Sequence, residues 1–264
     1  MGPRLREDEE SSGEGRTVFS LTRFKVMTDT LRAIFFDAGN TLIYPRVEEL
    51  AKDLTEQGYP ATAEDFFAAE REGKARLDEW LWPKIRQGQV PRTIDTFYWR
   101  EYLLTLMERI RAPEAERVRL MLRVAEGFRD ITLWSRVLPE VPEVLAELRR
   151  EGYYLGVISN SIGTMEKQLG RVELRQYFEA VFDSALVGVE KPNPEIFHLA
   201  LGRAGVQGSE ALFVGDTYST DVGGAALAGI RGVLIDRVGA YPHVDCPRIT
   251  SLAELREFLP PHTR

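Results

Sequence analysis

Four short segments of this chain carry side chains that could act together. Ile34-Phe35-Phe36 runs into Asp37 and then a turn containing Gly39, Asn40 and Thr41, and a later apolar run ends in Ser159 and Asn160. Lys191 opens the run Lys191-Pro192-Asn193-Pro194, and Gly215-Asp216 is followed by Asp221. Taken singly, each is ordinary turn or helix-cap chemistry. Asp37, Ser159 and Asp216 share a setting, however: each ends an apolar, strand-like run. Open parallel sheets present their reactive groups at the carboxyl ends of the strands, so the three side chains can converge on one edge. Two carboxylates held there cannot both stay charged and unpaired at low cost, so a cation is expected. All the donors on offer are oxygens, which points to Mg²⁺ rather than a soft metal. The Lys191 charge and the Ser159 hydroxyl suit a phosphate dianion or a carboxylate.

Competing chemistries are poorly supplied. His198 reads as a packing position inside a helix, and His243 and His262 lie among prolines, so neither a Ser-His-Asp triad nor a histidine-rich metal site is expected. No GxxxxGK[ST] phosphate loop and no GxGxxG after a strand is present. Cys246 is the single cysteine, which excludes an internal disulfide framework and a multi-cysteine zinc site. Nothing beside it suggests an activated thiolate.

The elements that would position these residues follow from hydrophobic periodicity. Residues 31–37 read as a buried parallel strand. From about 47 to 129 the pattern is almost purely helical. Thr62-Ala63-Glu64-Asp65 resembles a capping box, Pro83, Gly88 and Pro91 break the run, and further helices are expected over 95–110 and 115–128. Phe97, Tyr98 and Tyr102 form a stripe at helical spacing that reads as packing core. Beyond Pro139 and Pro142, helices (143–150, 164–169, 194–204, 221–228, 252–258) alternate with strands (154–159, 180–183, 212–215, 232–235). That alternation means βαβ units and a parallel sheet. The expected fold is therefore α/β: a doubly wound, Rossmann-like parallel sheet core from 27–46 and 131–264, interrupted by an all-helical insertion over 47–130. Residues 1–26 read as a disordered tail, with Met27 a candidate natural start.

The chain has 264 residues, 44% hydrophobic and 28% charged, which is enough for a substantial core. A net charge of −7 argues against a general nucleic-acid binder. No apolar stretch reaches the length of a membrane helix, and the first 30 residues lack the apolar core of a secretory signal, so a cytoplasmic protein is expected.

Together and in this order, the four segments resemble the haloacid dehalogenase-like hydrolase superfamily over about residues 31–260. The helical insertion resembles the cap found after the first strand in the subfamily of haloacid dehalogenase and phosphoglycolate phosphatase. The resemblance implies that Asp37 is a nucleophile forming an aspartyl-phosphate, and that Ser159, Asn160 and Lys191 bind the phosphoryl group. It also implies that Asp37, Asp216, Asp221 and the Gly39 carbonyl hold Mg²⁺. One position departs from the pattern. Phosphatases of the family usually carry a second aspartate two residues after the nucleophile, which protonates the leaving group and then activates water. Here that position is Gly39, and loss of a general acid–base costs about 10²–10⁴ in rate. An aspartate placed there should restore the shuttle where the cap leaves room.

Haloacid dehalogenases, phosphonoacetaldehyde hydrolases and P-type ATPases also lack that aspartate. Haloacid dehalogenases need no metal and have replaced the metal-motif acid, whereas this chain keeps Asp216 and Asp221 and so resembles the Mg²⁺-dependent branch. Phosphonoacetaldehyde hydrolases use a cap lysine, for which Lys52, Lys74 and Lys84 stand in the right segment. The reading is a Mg²⁺-dependent phosphatase for a small phosphorylated metabolite. Beside it stand a weak or inactive phosphatase-like binding protein, and a hydrolase of carbon–halogen or carbon–phosphorus bonds. Arg71, Lys74, Arg86 and Arg92 either read an anionic substrate or cover solvated helix faces.

Overall fold

The computed structural model describes residues 31–91 and 94–260. The reading of residues 1–26, Met27, Arg92 and His262 falls outside the described residues. Apolar runs rich in β-branched and aromatic residues become the central strands of the fold. In chain order the strands are β1 (Ala33–Phe36), β2 (Tyr44–Pro45), β3 (Trp134–Arg136), β4 (Tyr154–Ser159), β5 (Ala180–Asp183), β6 (Ala211–Gly215), β7 (Arg231–Ile235) and β8 (Arg248–Ile249). The central β1, β4, β6 and β7 are buried on both faces, while the other four strands are short or only partly buried. Six of them form one parallel sheet in the order β5-β4-β1-β6-β7-β8, and β2 and β3 pair antiparallel beside it. The chain leaves β1 for β4 and β5 on one side, then returns to β6 on the other, so the strand order reverses at β1. Phe36 is in register with Val157 of β4 and Val214 of β6, which brings the ends of the three strands level. Ligand sites of doubly wound sheets lie at such a switch point.

The period-two alternation of β1 divides the core. Ile34 and Phe36 pack with Leu145, Leu155 and Leu169 on one face of the sheet, and Ala33 and Phe35 pack with Ile196, Phe197 and Phe213 on the other. Helices α5 (Glu140–Arg150) and α6 (Met165–Arg171) cover the first face. Helices α8 (Pro194–Ala204) and α9 (Gly224–Leu227) cover the second, and the short α7 (Ser184–Val187) closes the end of β5. Full burial of side chains such as Phe35 and Phe36 stabilises the sheet by about 1.5–3 kcal/mol each.

Between β2 and β3 the chain forms α1 (Val47–Glu56), α2 (Ala63–Ile85), α3 (Ile94–Arg109) and α4 (Glu114–Arg129). Their own core contains Leu54, Phe66, Tyr102, Leu106, Leu120 and Val124. Thr62 caps α2 through the reciprocal bonds with Asp65 expected from the sequence. Pro83 does not end that helix, which runs on to Ile85: the ring removes one N–H donor to the turn before it, and Arg86 N–H still reaches the Trp82 carbonyl at 3.1 Å. The far end of α2 lies on the loop after β6. There Trp82 packs on Tyr218 with ring centroids 4.5 Å apart, and the Asp78 carboxylate accepts from Ser219 N–H at 3.1 Å.

Other details differ from the sequence expectation. Helix α5 starts at Glu140 and holds Pro142 in its first turn, where a missing N–H costs nothing. Residues 218–223 wind as a π-turn rather than an α-helix, and 252–258 form a 3₁₀ helix. No helix among the described residues is long and apolar enough to cross a membrane.

Candidate active site

The turn after β1 and the turn after β6 bring three carboxylates together. Asp37, Asp216 and Asp221 are all buried, and each offers an oxygen within 4.8 Å of the others'. Lys191 donates to Asp37 Oδ1 at 2.6 Å and to Asp221 Oδ1 at 2.7 Å, so one ammonium is shared by two of them. Its own loop is pinned by Asn160: Lys191 N–H donates to Asn160 Oδ1 at 2.8 Å, and Asn160 Nδ2 donates to the Lys191 carbonyl at 3.1 Å. Asn160 Nδ2 also reaches Asp95 Oδ1 of α3 at 3.1 Å. The Asn160 amide is therefore committed to fixing Lys191 in place. Ser159, at the end of β4, is buried on the wall of the same cavity, and among the described residues no hydrogen bond engages its hydroxyl.

Gly215 makes the close approach possible. A Cβ at that position would lie 2.5 Å from Asp221 Cγ, so only glycine lets the Asp221 carboxylate fold back over the end of β6 and accept from Thr217 N–H at 2.9 Å. Gly215→Ala is expected to push Asp221 away from Lys191. It should destabilise the protein by about 1–3 kcal/mol and lower activity with it. Thermal melting and steady-state kinetics of the variant check both.

The third carboxylate takes its partner from the helical segment. Lys74, 2% exposed in α2, lies 2.8 Å from Asp216 Oδ2 and 2.6 Å from Glu70 Oε1. Four buried carboxylates (Asp37, Asp216, Asp221 and Glu70) thus face two ammonium groups, leaving more acidic than basic groups in the cluster. Burial, reinforced by Asp221 and Asp216 and opposed by Lys191, pushes the Asp37 carboxyl up to about 7. Burial raises Asp221 in the same direction. Burial works against the charge on Lys191 and Lys74, but their carboxylate neighbours outweigh it and hold both firmly protonated. An uncompensated cluster of hard oxygen donors fits Mg²⁺, which would supply the missing positive charge.

The cavity beside these groups has a volume of about 320 Å³. Tyr98, Trp99 and Trp134 close its helical side. The aromatic stripe of α3 packs the helical core as expected, through both Tyr98 and Tyr102, and Tyr98 lines the cavity as well. Gly39 also lines the cavity, and a Cβ on it would meet Trp134 Cζ3 at 3.1 Å.

The remaining sequence candidates lie elsewhere. Lys52 is exposed beside Glu56, Lys84 sits over the Trp80 ring, Arg71 pairs with Glu64 and Arg86 stacks on Trp82. His198 is exposed on α8 and not packed as expected. Cys246 is no activated nucleophile: burial, with Asp245 beside it, pushes its thiol up to about 12. Three contributors escaped sequence reasoning: the contact of Lys74 with Asp216, the bond from Asn160 to Asp95, and Trp134 above Gly39. Only the Glu70–Lys74 spacing left a local trace, and it looks like any i,i+4 surface pair.

The sheet order and the carboxylate cluster at its switch point define a doubly wound α/β protein with its candidate site at the strand ends. The chain belongs to the haloacid dehalogenase-like hydrolase family, whose sequence model matches residues 31–229. It is 31% identical over 221 residues to a glyceraldehyde 3-phosphate phosphatase of Methanopyrus kandleri, covering 81% of this chain and 88% of that one. A phosphoserine phosphatase of Thermus thermophilus is 38% identical over 127 residues, but the match spans only 49% of that relative and 48% of this chain. An (S)-2-haloacid dehalogenase of Burkholderia cepacia is 26% identical over 88% of this chain and 96% of its own length. Among solved structures, a dehalogenase with an intermediate complex superposes with a TM-score of 0.59 at 26% identity, covering 88% of this chain and 99% of that one. The magnesium-bound hydrolase YfnB of Bacillus subtilis reaches a TM-score of 0.61 at 22% identity over 87% of this chain and 98% of its own, a likeness of fold.

Proposed function

We propose that the chain is a Mg²⁺-dependent phosphatase acting on a small phosphorylated metabolite in the cytoplasm. Residues 47–130 serve as a cap over a core formed by 27–46 and 131–264. The observation that carries this reading is the Asp37–Lys191–Asp221 chain of ion pairs beside Asp216 at the sheet's switch point. Asp37 attacks phosphorus, the bond from phosphorus to the leaving oxygen breaks with its electron pair on that oxygen, and an aspartyl-phosphate remains. Water then cleaves that intermediate to release phosphate and restore the carboxylate. Lys191 keeps the nucleophile oriented and balances charge on the phosphoryl oxygens, and the Ser159 hydroxyl donates to one of them. The peptide segment at Asn160 completes the phosphoryl pocket. Asp37, Asp216, Asp221 and the Gly39 carbonyl would hold Mg²⁺, which supplies charge neutralisation to the phosphoryl group. The two phosphatase relatives support phosphate esters over haloacids, as does retention of both Asp216 and Asp221.

Phosphatase activity is expected to vanish in EDTA and to return with Mg²⁺, measured on a panel of phosphate esters, phosphonates and 2-haloacids. Full turnover of a 2-haloacid in EDTA would replace this reading with that of a dehalogenase. Tight phosphometabolite binding without turnover would make the chain a binding protein.

A further inference from the structure

Lys191 already balances Asp37 and Asp221, yet Asp216 draws its counter-charge from a different element. Lys74 projects from α2, and its ammonium bridges Glu70, one turn earlier on the same helix, and Asp216 at the end of β6. This is no solvated i,i+4 pair, because all three groups are buried. The same helix touches the loop after β6 through Asp78 and Trp82. The Lys74–Asp216 bridge is therefore part of the contact that joins the helical segment to the turn carrying Asp216 and Asp221, alongside the packing of Trp82 on Tyr218 and Val222.

A divalent cation on Asp216 and an ammonium on the same carboxylate repel strongly in a buried site. We propose that Lys74 is a cap-borne counter-ion that competes with the divalent cation for Asp216, with Glu70 as the resting partner that receives Lys74 when the metal binds. The inference rests on the metal reading of the site. It makes Lys74 a positioning residue, coupling metal loading to the grip of α2 on the loop after β6. Glu70 then sets how readily the metal wins: without its charge, Asp216 is the one carboxylate among the described residues left within ion-pairing distance of Lys74.

The two side chains should therefore shift metal affinity in opposite directions. Mn²⁺ binding to the full chain, followed by calorimetry and by the spin-resonance signal of free Mn²⁺, tests this without any turnover. Lys74→Met is expected to bind Mn²⁺ about tenfold more tightly than wild type or better, and Glu70→Gln more weakly. Lys74→Met leaves Glu70 buried without a partner, so the double variant Lys74→Met/Glu70→Gln, which removes both charges, guards against loss of folding. It should bind as tightly as Lys74→Met, and thermal melting verifies that each protein is folded. Unchanged or weaker binding when Lys74 is removed, or shifts of the same sign in both single variants, would overturn the competition while leaving the metal reading intact. No Mn²⁺ binding by wild type or any variant would overturn both.

Discussion

Asp37→Asn is expected to lower turnover by at least about 10⁴-fold while substrate affinity survives or improves. The carboxamide fills the same volume at the end of β1, and its oxygen can still accept from Lys191, which now approaches Asp37 Oδ1 at 2.6 Å. What disappears is the anionic oxygen that, on the proposed mechanism, forms the bond to phosphorus. The same change removes one negative charge from a cluster in which Asp216 and Asp221 already repel a phosphate dianion, so binding should strengthen. Steady-state turnover of an aryl phosphate, paired with equilibrium binding of a non-hydrolysable phosphate ester, separates the two effects. Acid-quench trapping of phosphoenzyme should give a signal in wild type and none in the variant. Residual turnover near the wild-type level would remove Asp37 from the chemistry and, with it, the phosphatase reading.

Much of this site is legible in the sequence because the relevant signals are local. The apolar runs ending at Asp37, Ser159 and Asp216 specify buried strands whatever surrounds them, and a parallel sheet then gathers their ends. Strands 154–159 and 180–183 and helix 194–204 fall where periodicity places them. What escapes is decided by tertiary packing. Strands β2 and β3 are two and three residues long, too short for any alternation to register. The π-turn at 218–223 arises where Asp221 bonds back to Thr217 and the loop meets α2. No window of sequence contains both partners of that last contact. Lys74 is the sharpest case: its neighbours in sequence describe a surface ion pair, and only the seating of α2 on the β6 loop turns it into a buried partner of Asp216. Trp134 likewise reads as one aromatic at the edge of the helical segment, and its bearing on Gly39 appears only in the folded chain.

On the proposed mechanism, that indole bears on whether the missing acid can be restored. With glycine at 39, the leaving oxygen departs without a proton from that position, so esters with poorly stabilised alkoxides should be slow. Wild type is expected to cleave aryl or acyl phosphates about 10²–10⁴ times faster than alkyl phosphates. With no base at the same position, the aspartyl-phosphate should accumulate and give a burst followed by slow turnover. Restoring the acid takes more than Gly39→Asp alone. Its Cβ would stand 3.1 Å from Trp134 Cζ3 and 3.4 Å from Cη2, before the carboxyl is added. The ring has little freedom to yield, since Trp134 Nε1 donates to the Phe128 carbonyl at 2.9 Å and the two rings pack at 6.1 Å. Gly39→Asp by itself is therefore expected to gain little on alkyl phosphates, and Trp134→Leu by itself nothing. The double variant Gly39→Asp/Trp134→Leu should recover up to about 10²–10⁴ in alkyl-phosphate turnover and lose the burst. Rates on both substrate classes in all four proteins, with burst amplitudes from rapid quench, test the account. Equal rates on both classes in wild type, with no gain in the double variant, would mean that another group already supplies the proton. Asp95 would then be the place to look: it lines the cavity, and burial holds its carboxyl above the usual range.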